Sequence, residues 1–281
     1  MKKMKQILAA AATLLAAVAC GQKNDASKVL VLYYSQTGNT KVVAEEIASR
    51  LGADIDVIEA AVPYDGTYQE TIARCLQERE AGTVPECKPL ARDIAKYDVI
   101  FLGYPIWFGT YAPPVAGWLN GVDLSGKKVV PFCTFGSGGL DSSVKDLTAV
   151  QPSATILPGY GVRAARMDAV PSEVDQFLKA GGFVEGEAVK LEEFPEQQPA
   201  TEEEAAIFMA AVKDYPMMGN VQVSTAASRV IPGGTEYLFT AVPQPREGAP
   251  EPDPKMPPMR DMKVYVTVLE GQEPVFTQVV R

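Results

Sequence analysis

The sequence predicts an α/β fold, a five-stranded parallel sheet with helices on both faces, followed by a small α+β domain. Three observations carry this prediction. From residue 28 to about residue 183, β-branched and aromatic runs alternate with segments whose apolar residues recur at helical spacing, the pattern of strands joined by covering helices. Three of the strand runs end in loops that carry glycine, the first and third with Ser and Thr hydroxyls and the second with aromatics. After Gly186 the pattern changes to an acidic stretch with Pro195 and Pro199, then one helix and several alternating strands.

At the start of the chain, Lys2, Lys3 and Lys5 precede an apolar, alanine-rich run from Ile7 to Cys20. Its 14 residues fall short of the roughly 18 to 20 that span a bilayer, so residues 1–20 read as a signal segment cut before Cys20 and residues 21–27 as a linker. Ala17-Val18-Ala19-Cys20-Gly21 resembles the lipobox of bacterial lipoproteins, with Ala17 where Leu is commoner. The resemblance implies a lipid at Cys20 and attachment to the bacterial cell envelope, facing the periplasm or the surface. An ordinary cleavage site beside a free Cys20 is the plainer alternative. Cleavage removes three lysines and takes the net charge from −9 to −12, which suits neither nucleic acid nor an anionic membrane surface.

The first domain, residues 28–184, opens on Val29 to Tyr34, an unbroken apolar run of the kind expected for a strand buried on both faces. Val43, Ile47 and Leu51 then recur every four residues and predict a helix. Between them lies Ser35-Gln36-Thr37-Gly38-Asn39-Thr40. A helix N-terminus presents unpaired N–H groups and partial positive charge, Gly38 lets the backbone curl closely, and the hydroxyls donate, so this turn is a phosphate cradle. The alternative is a Ser/Thr-rich cap with no ligand. Neither Gly-x-x-x-x-Gly-Lys-Ser/Thr nor Gly-x-Gly-x-x-Gly occurs here, which removes support for nucleotide hydrolysis and dinucleotide binding. Further elements are predicted as a strand at Ile55 to Ile58, helices at Thr67 to Glu80, Pro113 to Leu119 and Ser142 to Ala149, a fifth strand at Thr155 to Gly161, and a closing helix at Pro171 to Ala180.

The strand Asp98 to Leu102 runs into Gly103-Tyr-Pro105-Ile106-Trp107-Phe108-Gly109, and the strand Lys128 to Cys133 into Thr134-Phe135-Gly136-Ser137-Gly138-Gly139. With the first loop, these resemble the three flavin mononucleotide (FMN) loops of the flavodoxin family, in order and at similar spacing, over residues 28 to 183. The resemblance implies a flavodoxin-like fold with FMN beyond the carboxyl ends of the strands. It implies a flavin stack on Trp107, main-chain amides at Gly109 near the reactive nitrogen, and residues 134 to 139 around the far edge of the ring, with Phe135 as a second stacking partner. The alternative for Trp107 and Phe108 is packing on Trp118 or Tyr111. No Lys or Arg lies between Tyr97 and Gly126, so the reduced cofactor is expected to find little compensating charge and to have a low potential.

No histidine occurs in the chain, which removes Ser-His-Asp and Cys-His catalysis and the usual zinc sites, and no acid or base is singled out. Cys133 reads as a buried filler, while Cys75 and Cys87 leave a disulfide or two free thiols open.

Residues 185–200 read as a linker. In the second domain, residues 201–281, Thr201 and Glu204 form a capping box ahead of a helix with Phe208, Ala211, Val212 and Tyr215 on one side. Strands follow at Val221 to Ala227, Tyr237 to Val242 and Lys263 to Leu269, with Gly233-Gly234 as a hairpin turn. Pro243 to Pro258 holds seven prolines in sixteen residues and reads as an extended loop or docking segment. Ser228 to Phe239, Met262 to Val268 and Glu273 to Phe276 resemble the cystatin fold. Arg229 stands where that family's inhibitory hairpin has Gln, and Val275 where its second hairpin has Trp, so the resemblance implies the fold and a protein-docking module more than protease inhibition.

Three functions stay open: a membrane-tethered flavin electron carrier with unknown donor and acceptor, an FMN-dependent NAD(P)H:quinone-type reductase, and a non-enzymatic binding or protease-inhibitor-like protein using the C-terminal module.

Overall fold

The computed structural model describes residues 27–215, 218, 220–244 and 261–280. The signal segment, Cys20 and all but the first two residues of the proline-rich stretch lie outside the described residues.

The first unit is built on β1 (Val29–Tyr33), α1 (Asn39–Leu51), β2 (Asp54–Val57), α2 (Tyr68–Ala81), β3 (Val99–Trp107), β4 (Thr110–Tyr111), α3 (Pro113–Asn120), β5 (Lys128–Phe135), α4 (Leu140–Val150), β6 (Thr155–Ile156), β7 (Tyr160–Arg163) and α5 (Val170–Ala180). Its parallel sheet runs β2-β1-β3-β5, with β6 and then β7 along the outer side of β5. The single fifth strand expected at Thr155 to Gly161 is therefore broken in two, because Pro158 brings no N–H to a ladder.

Side chains alternate across each strand, so one sheet feeds two cores. Leu30, Leu32, Ile100, Leu102 and Val129 face Val115, Trp118, Leu119 and Leu147 of α3 and α4. Val31, Val99, Phe101, Val130 and Phe132 face Val43 and Ile47 of α1 and Val174 and Leu178 of α5. This two-sided burial is why β1, β3 and β5 read as continuous apolar runs. The strand order reverses between β1 and β3, which opens a crevice at their carboxyl ends.

The second unit carries β8 (Gln198–Pro199), α6 (Glu202–Val212), β9 (Val221–Ile231), β10 (Gly234–Pro243), β11 (Met262–Leu269) and β12 (Val275–Val280). The antiparallel sheet runs β12-β11-β10-β9-β8, and Phe208 and Val212 of α6 pack on Phe239, Val264, Val266 and Phe276. The β9–β10 turn is one residue earlier than expected, at Pro232-Gly233, since Gly234 already pairs with Ile231.

The expected linker is not free. Gln198 and Pro199 pair with β9, Gln197 donates to the Leu238 carbonyl at 2.9 Å, and the Arg229 guanidinium lies 4.4 Å from the Phe194 ring centre. Cys75 and Cys87 are unpaired, and Cys87 Sγ lies 3.2 Å from the Pro114 carbonyl.

Candidate functional site

The carboxyl ends of β1, β3 and β5 stand side by side in parallel register, with Tyr33 beside Gly103 and Pro105 beside Thr134. All three expected loops therefore meet on one rim of the sheet.

In the first loop the Gly38 N–H donates to Ser35 Oγ at 3.1 Å, which closes the turn. Gly38 then sits at the N-cap of α1 with φ 95°, a conformation other residues adopt only under strain, and no side chain caps the helix. The first N–H groups of α1 point out with the exposed Thr37 hydroxyl beside them and Asn39 half-buried at the first helical position. The remaining two residues serve the frame. Gln36 spends its amide on the Tyr64 carbonyl (2.8 Å) and on Thr71 Oγ1 (3.2 Å), tying the segment before α2 to the loop. Thr40 and Thr134, both buried, share a hydroxyl hydrogen bond of 2.8 Å that fastens α1 to β5.

The second loop differs from its expectation. Pro105, Ile106 and Trp107 belong to β3, which runs five residues past Leu102 and turns back into β4, with Ile106 paired to Tyr111 and Trp107 to Thr110. Phe108 (φ 51°) and Gly109 (φ 86°) form the two-residue tip, both left-handed, the conformation that suits the twist of a hairpin. Phe108 is the one non-glycine residue with such a φ among the described residues, and half of its surface is exposed. A strained, exposed aromatic at a strand end points to a ligand contact. Trp107 is half-buried and packs edge-on between Tyr34 (5.9 Å, 86°) and Tyr64 (5.7 Å, 64°), in place of the Trp118 or Tyr111 packing weighed from the sequence. These neighbours hold the indole in one orientation.

In the third loop Thr134 and Phe135 complete β5, and Gly136 to Gly139 lead into α4, again without a side-chain cap. Ile106 of the second loop presses on Gly139, where an added Cβ would stand 2.7 Å from Ile106 Cγ2. The stacking role expected of Phe135 finds no open face. Its ring is 4% exposed, lies in the core beneath β5 with Tyr104 and Cys133, and limits the room at Gly161. Alternation explains this, since Phe135 and Cys133 fall on the same side of the strand.

The sequence reading missed Tyr34, Tyr64 and Arg163. Tyr34 is the last residue of an apolar run and carried no polar signal. Tyr64 donates its hydroxyl to Glu78 at 2.6 Å and lies under the Arg74 guanidinium at 3.6 Å. Burial pushes the Tyr34 phenol up to about 12, with Cys75 adding to the shift and Arg74 opposing it, and burial also raises that of Tyr64. Both phenols stay neutral at ordinary pH, and the charge behind Tyr64 is that of the Arg74–Glu78 pair, at 2.8 Å. The expected lack of cations does not hold in space, because Arg79 lies 5.9 Å from the Phe108 ring centre and Arg163 Nε donates to the Gly136 carbonyl at 2.8 Å. Both come from outside the segment 97–126. Two surface clefts of about 480 and 510 Å³ lie elsewhere, along α3 and at the opposite ends of β1 and β2.

An uncapped helix N-terminus with a hydroxyl beside it suits a phosphate monoester, and a fixed indole face with main-chain amides around it suits a flat heterocycle. The donor set thus fits FMN.

A curated relative, the NAD(P)H dehydrogenase (quinone) of Cupriavidus metallidurans, is 36% identical over 114 residues, which cover 36% of this chain and 53% of the relative. The chain thus spans about half the length of that protein. Among solved structures, a Bacteroides eggerthii protein assigned as a flavoprotein is 31% identical, with 53% of this chain and 97% of that chain covered and a TM-score of 0.46. A Lactobacillus acidophilus flavoprotein in complex with FMN is 25% identical, with 55% and 100% covered and a TM-score of 0.45. The sequence model of the flavodoxin family matches residues 28–175, more than half of the chain and the whole of the rim described above, and the chain belongs to that family.

Proposed function

We propose that the chain binds FMN at the rim of the parallel sheet and serves as an electron carrier of the cell envelope, tethered through a lipid on Cys20. The observation that carries the FMN reading is the uncapped N-terminus of α1 beside the fixed face of Trp107. Bound FMN supplies reversible electron and hydride chemistry that no side chain provides. The chain's part is to bind and orient. The N–H groups at residues 39–41 and the Thr37 hydroxyl receive the phosphate, Trp107 and Phe108 present aromatic faces, and the backbone at Gly109 and at Gly136 to Gly139 offers amides around the ring.

A second reading, reduction of quinones by NAD(P)H, is favoured by the named relative. The two separate on mixing the flavin-loaded protein with reduced nicotinamides in a stopped-flow instrument, where a carrier is reduced negligibly and a reductase within seconds.

The direct test is the absorption spectrum of the full chain purified in detergent. A yellow protein whose extracted cofactor is FMN supports the reading. A colourless protein that takes up no added FMN overturns it and favours a binding role for the cystatin-like C-terminal module. Replacing Cys20 with Ala should release the protein from the membrane fraction.

A further inference from the structure

We infer that Arg163 and the last strand of the second unit position the third rim loop, which makes the second unit part of the flavin site. This deepens the FMN reading above and rests on it.

Gly136-Ser-Gly-Gly139 is a segment that a glycine-rich composition leaves with many accessible conformations, and fixing them costs more entropy than in a loop with fewer glycines. The first unit holds its two ends, through Arg163 at the Gly136 carbonyl and Ile106 at Gly139. The constraint on Ser137 and Gly138 between them comes from β12. That strand ends the antiparallel sheet and pairs with β11 on one side only. On its other side the Val279 N–H donates to the Ser137 carbonyl at 2.6 Å. The Val279 carbonyl lies where a Cβ on Gly138 would be, at 2.2 Å, so any other residue at 138 would push the strand away.

Arg163 closes the seam from the end of β7. Its Nε donates to the Gly136 carbonyl at 2.8 Å and its Nη1 to the Phe276 carbonyl at 2.7 Å, one acceptor on each side. The guanidinium also lies 4.3 Å from the Phe276 ring centre and 5.6 Å from that of Tyr215. A planar fork of donors on a stacked group fixes two carbonyls relative to each other, which a lysine ammonium does not do. Held at Gly136, Ser137 and Gly138, the loop keeps its amides aimed at the rim before any ligand arrives. Such preorganisation appears as affinity, and by linkage a bound flavin in turn tightens the seam.

Three variants of the full chain test this: Arg163→Ala, Arg163→Lys and Val279→Pro. Proline at 279 removes the bond to Ser137 and no bond of the β11–β12 ladder, because the Val279 N–H faces outward. Three quantities are read: backbone NMR order parameters at 137–139 in cofactor-free protein, the FMN dissociation constant, and the visible spectrum and potential of the bound flavin. Arg163→Ala and Val279→Pro should each lower the order parameters at 137–139 while leaving residues 30–48 as in the parent. Each should weaken FMN binding by about ten-fold, the usual size of coupling between sites, and shift the flavin band and potential. Arg163→Lys should restore only part of the affinity.

Unchanged order parameters at 137–139 in both Arg163→Ala and Val279→Pro overturn the inference whatever the flavin does. Lower order parameters with parent-like FMN affinity, spectrum and potential also overturn it, because the seam would then be structural only. A parent protein that takes up no FMN sinks the FMN reading instead, and the order parameters still decide whether the second unit holds the loop.

Discussion

Two helices of this chain begin on a Thr-x-x-Glu box and two begin on a glycine with no side-chain cap, and the two kinds lie in different places. In α2 the Thr67 N–H donates to Glu70 at 2.7 Å and the Glu70 N–H to Thr67 Oγ1 at 3.3 Å. In α6 the same exchange joins Thr201 and Glu204 at 2.8 and 3.2 Å. By contrast α1 starts at Gly38 and α4 at Gly139, and both starts are on the rim where β1, β3 and β5 end. The other two, α3 and α5, begin on Ala112 and Ala169 without a side-chain cap, and a proline in the first turn of each brings no N–H to be satisfied. At the rim the chain leaves the N–H groups open, and the stability forgone there is recovered on binding a ligand that supplies the missing acceptors.

The sharpest way to break this contrast is to put an acceptor at the open end. Thr37→Glu places a carboxylate beside the bare N–H groups without touching the backbone of Gly38. Repulsion between two unit charges about 4 Å apart is worth roughly 4 kcal/mol at an effective dielectric near 20, and half of that already costs about 30-fold. FMN affinity should fall by about 30-fold or more. The cofactor-free protein should become more stable by about 0.3 to 1 kcal/mol, since the new charge complements the helix dipole. FMN titration and urea unfolding read the two effects. A variant that binds as the parent does would mean that the phosphate is held elsewhere.

A second test asks which hydroxyls of the rim face the ligand and which hold the frame. Thr40 and Thr134 share a buried hydrogen bond, so Thr40→Val or Thr134→Val alone leaves the partner unsatisfied and should cost about 1 to 3 kcal/mol of cofactor-free stability. The double variant should cost less than the sum of the singles. If instead the singles left the stability of the cofactor-free protein alone and lowered only FMN affinity, both hydroxyls would belong to the ligand.

The same contrast shows what a sequence reveals and what it hides. The first strand, α1 and both capping boxes were legible because each rests on a pattern within a dozen residues, an apolar run, a four-residue recurrence or a Thr-x-x-Glu spacing. Trp107 was expected on a loop because Gly103, Pro105 and Gly109 bracket it. What makes it part of β3 is its pairing with Thr110 and the ladder to β5, and the latter depends on a strand thirty residues away. Tyr64 reaches the site through Gln36 and Trp107, and Arg163 through a carbonyl 113 residues further on. No local pattern marks either. The acidic, proline-bearing stretch before residue 200 misled for the complementary reason. Its composition suggested a free linker, while Phe194 and Gln197, two residues with something to pack or bond, lay it along the second sheet.

The smallest effects belong to the closed ends, and they carry a pH signature. Thr67→Ala and Thr201→Ala should each cost about 1 kcal/mol of stability at neutral pH, the usual worth of an N-cap. The box at α6 lies away from the rim, so Thr201→Ala should leave FMN affinity within about two-fold of the parent, well short of a tenfold step in binding energy. At α2 the Thr67 hydroxyl and then its N–H hold the Glu70 carboxyl below the usual glutamate range. A depressed carboxyl stabilises the fold at every pH above its ordinary value, and that contribution is lost as the pH falls through the lowered value in the folded state. Urea unfolding of the parent and of Thr67→Ala between neutral pH and the acid range should therefore give two curves that converge toward acid. Curves that stay parallel would mean that the box is held by the threonine alone, and the contrast between closed and open helix ends would lose its electrostatic half.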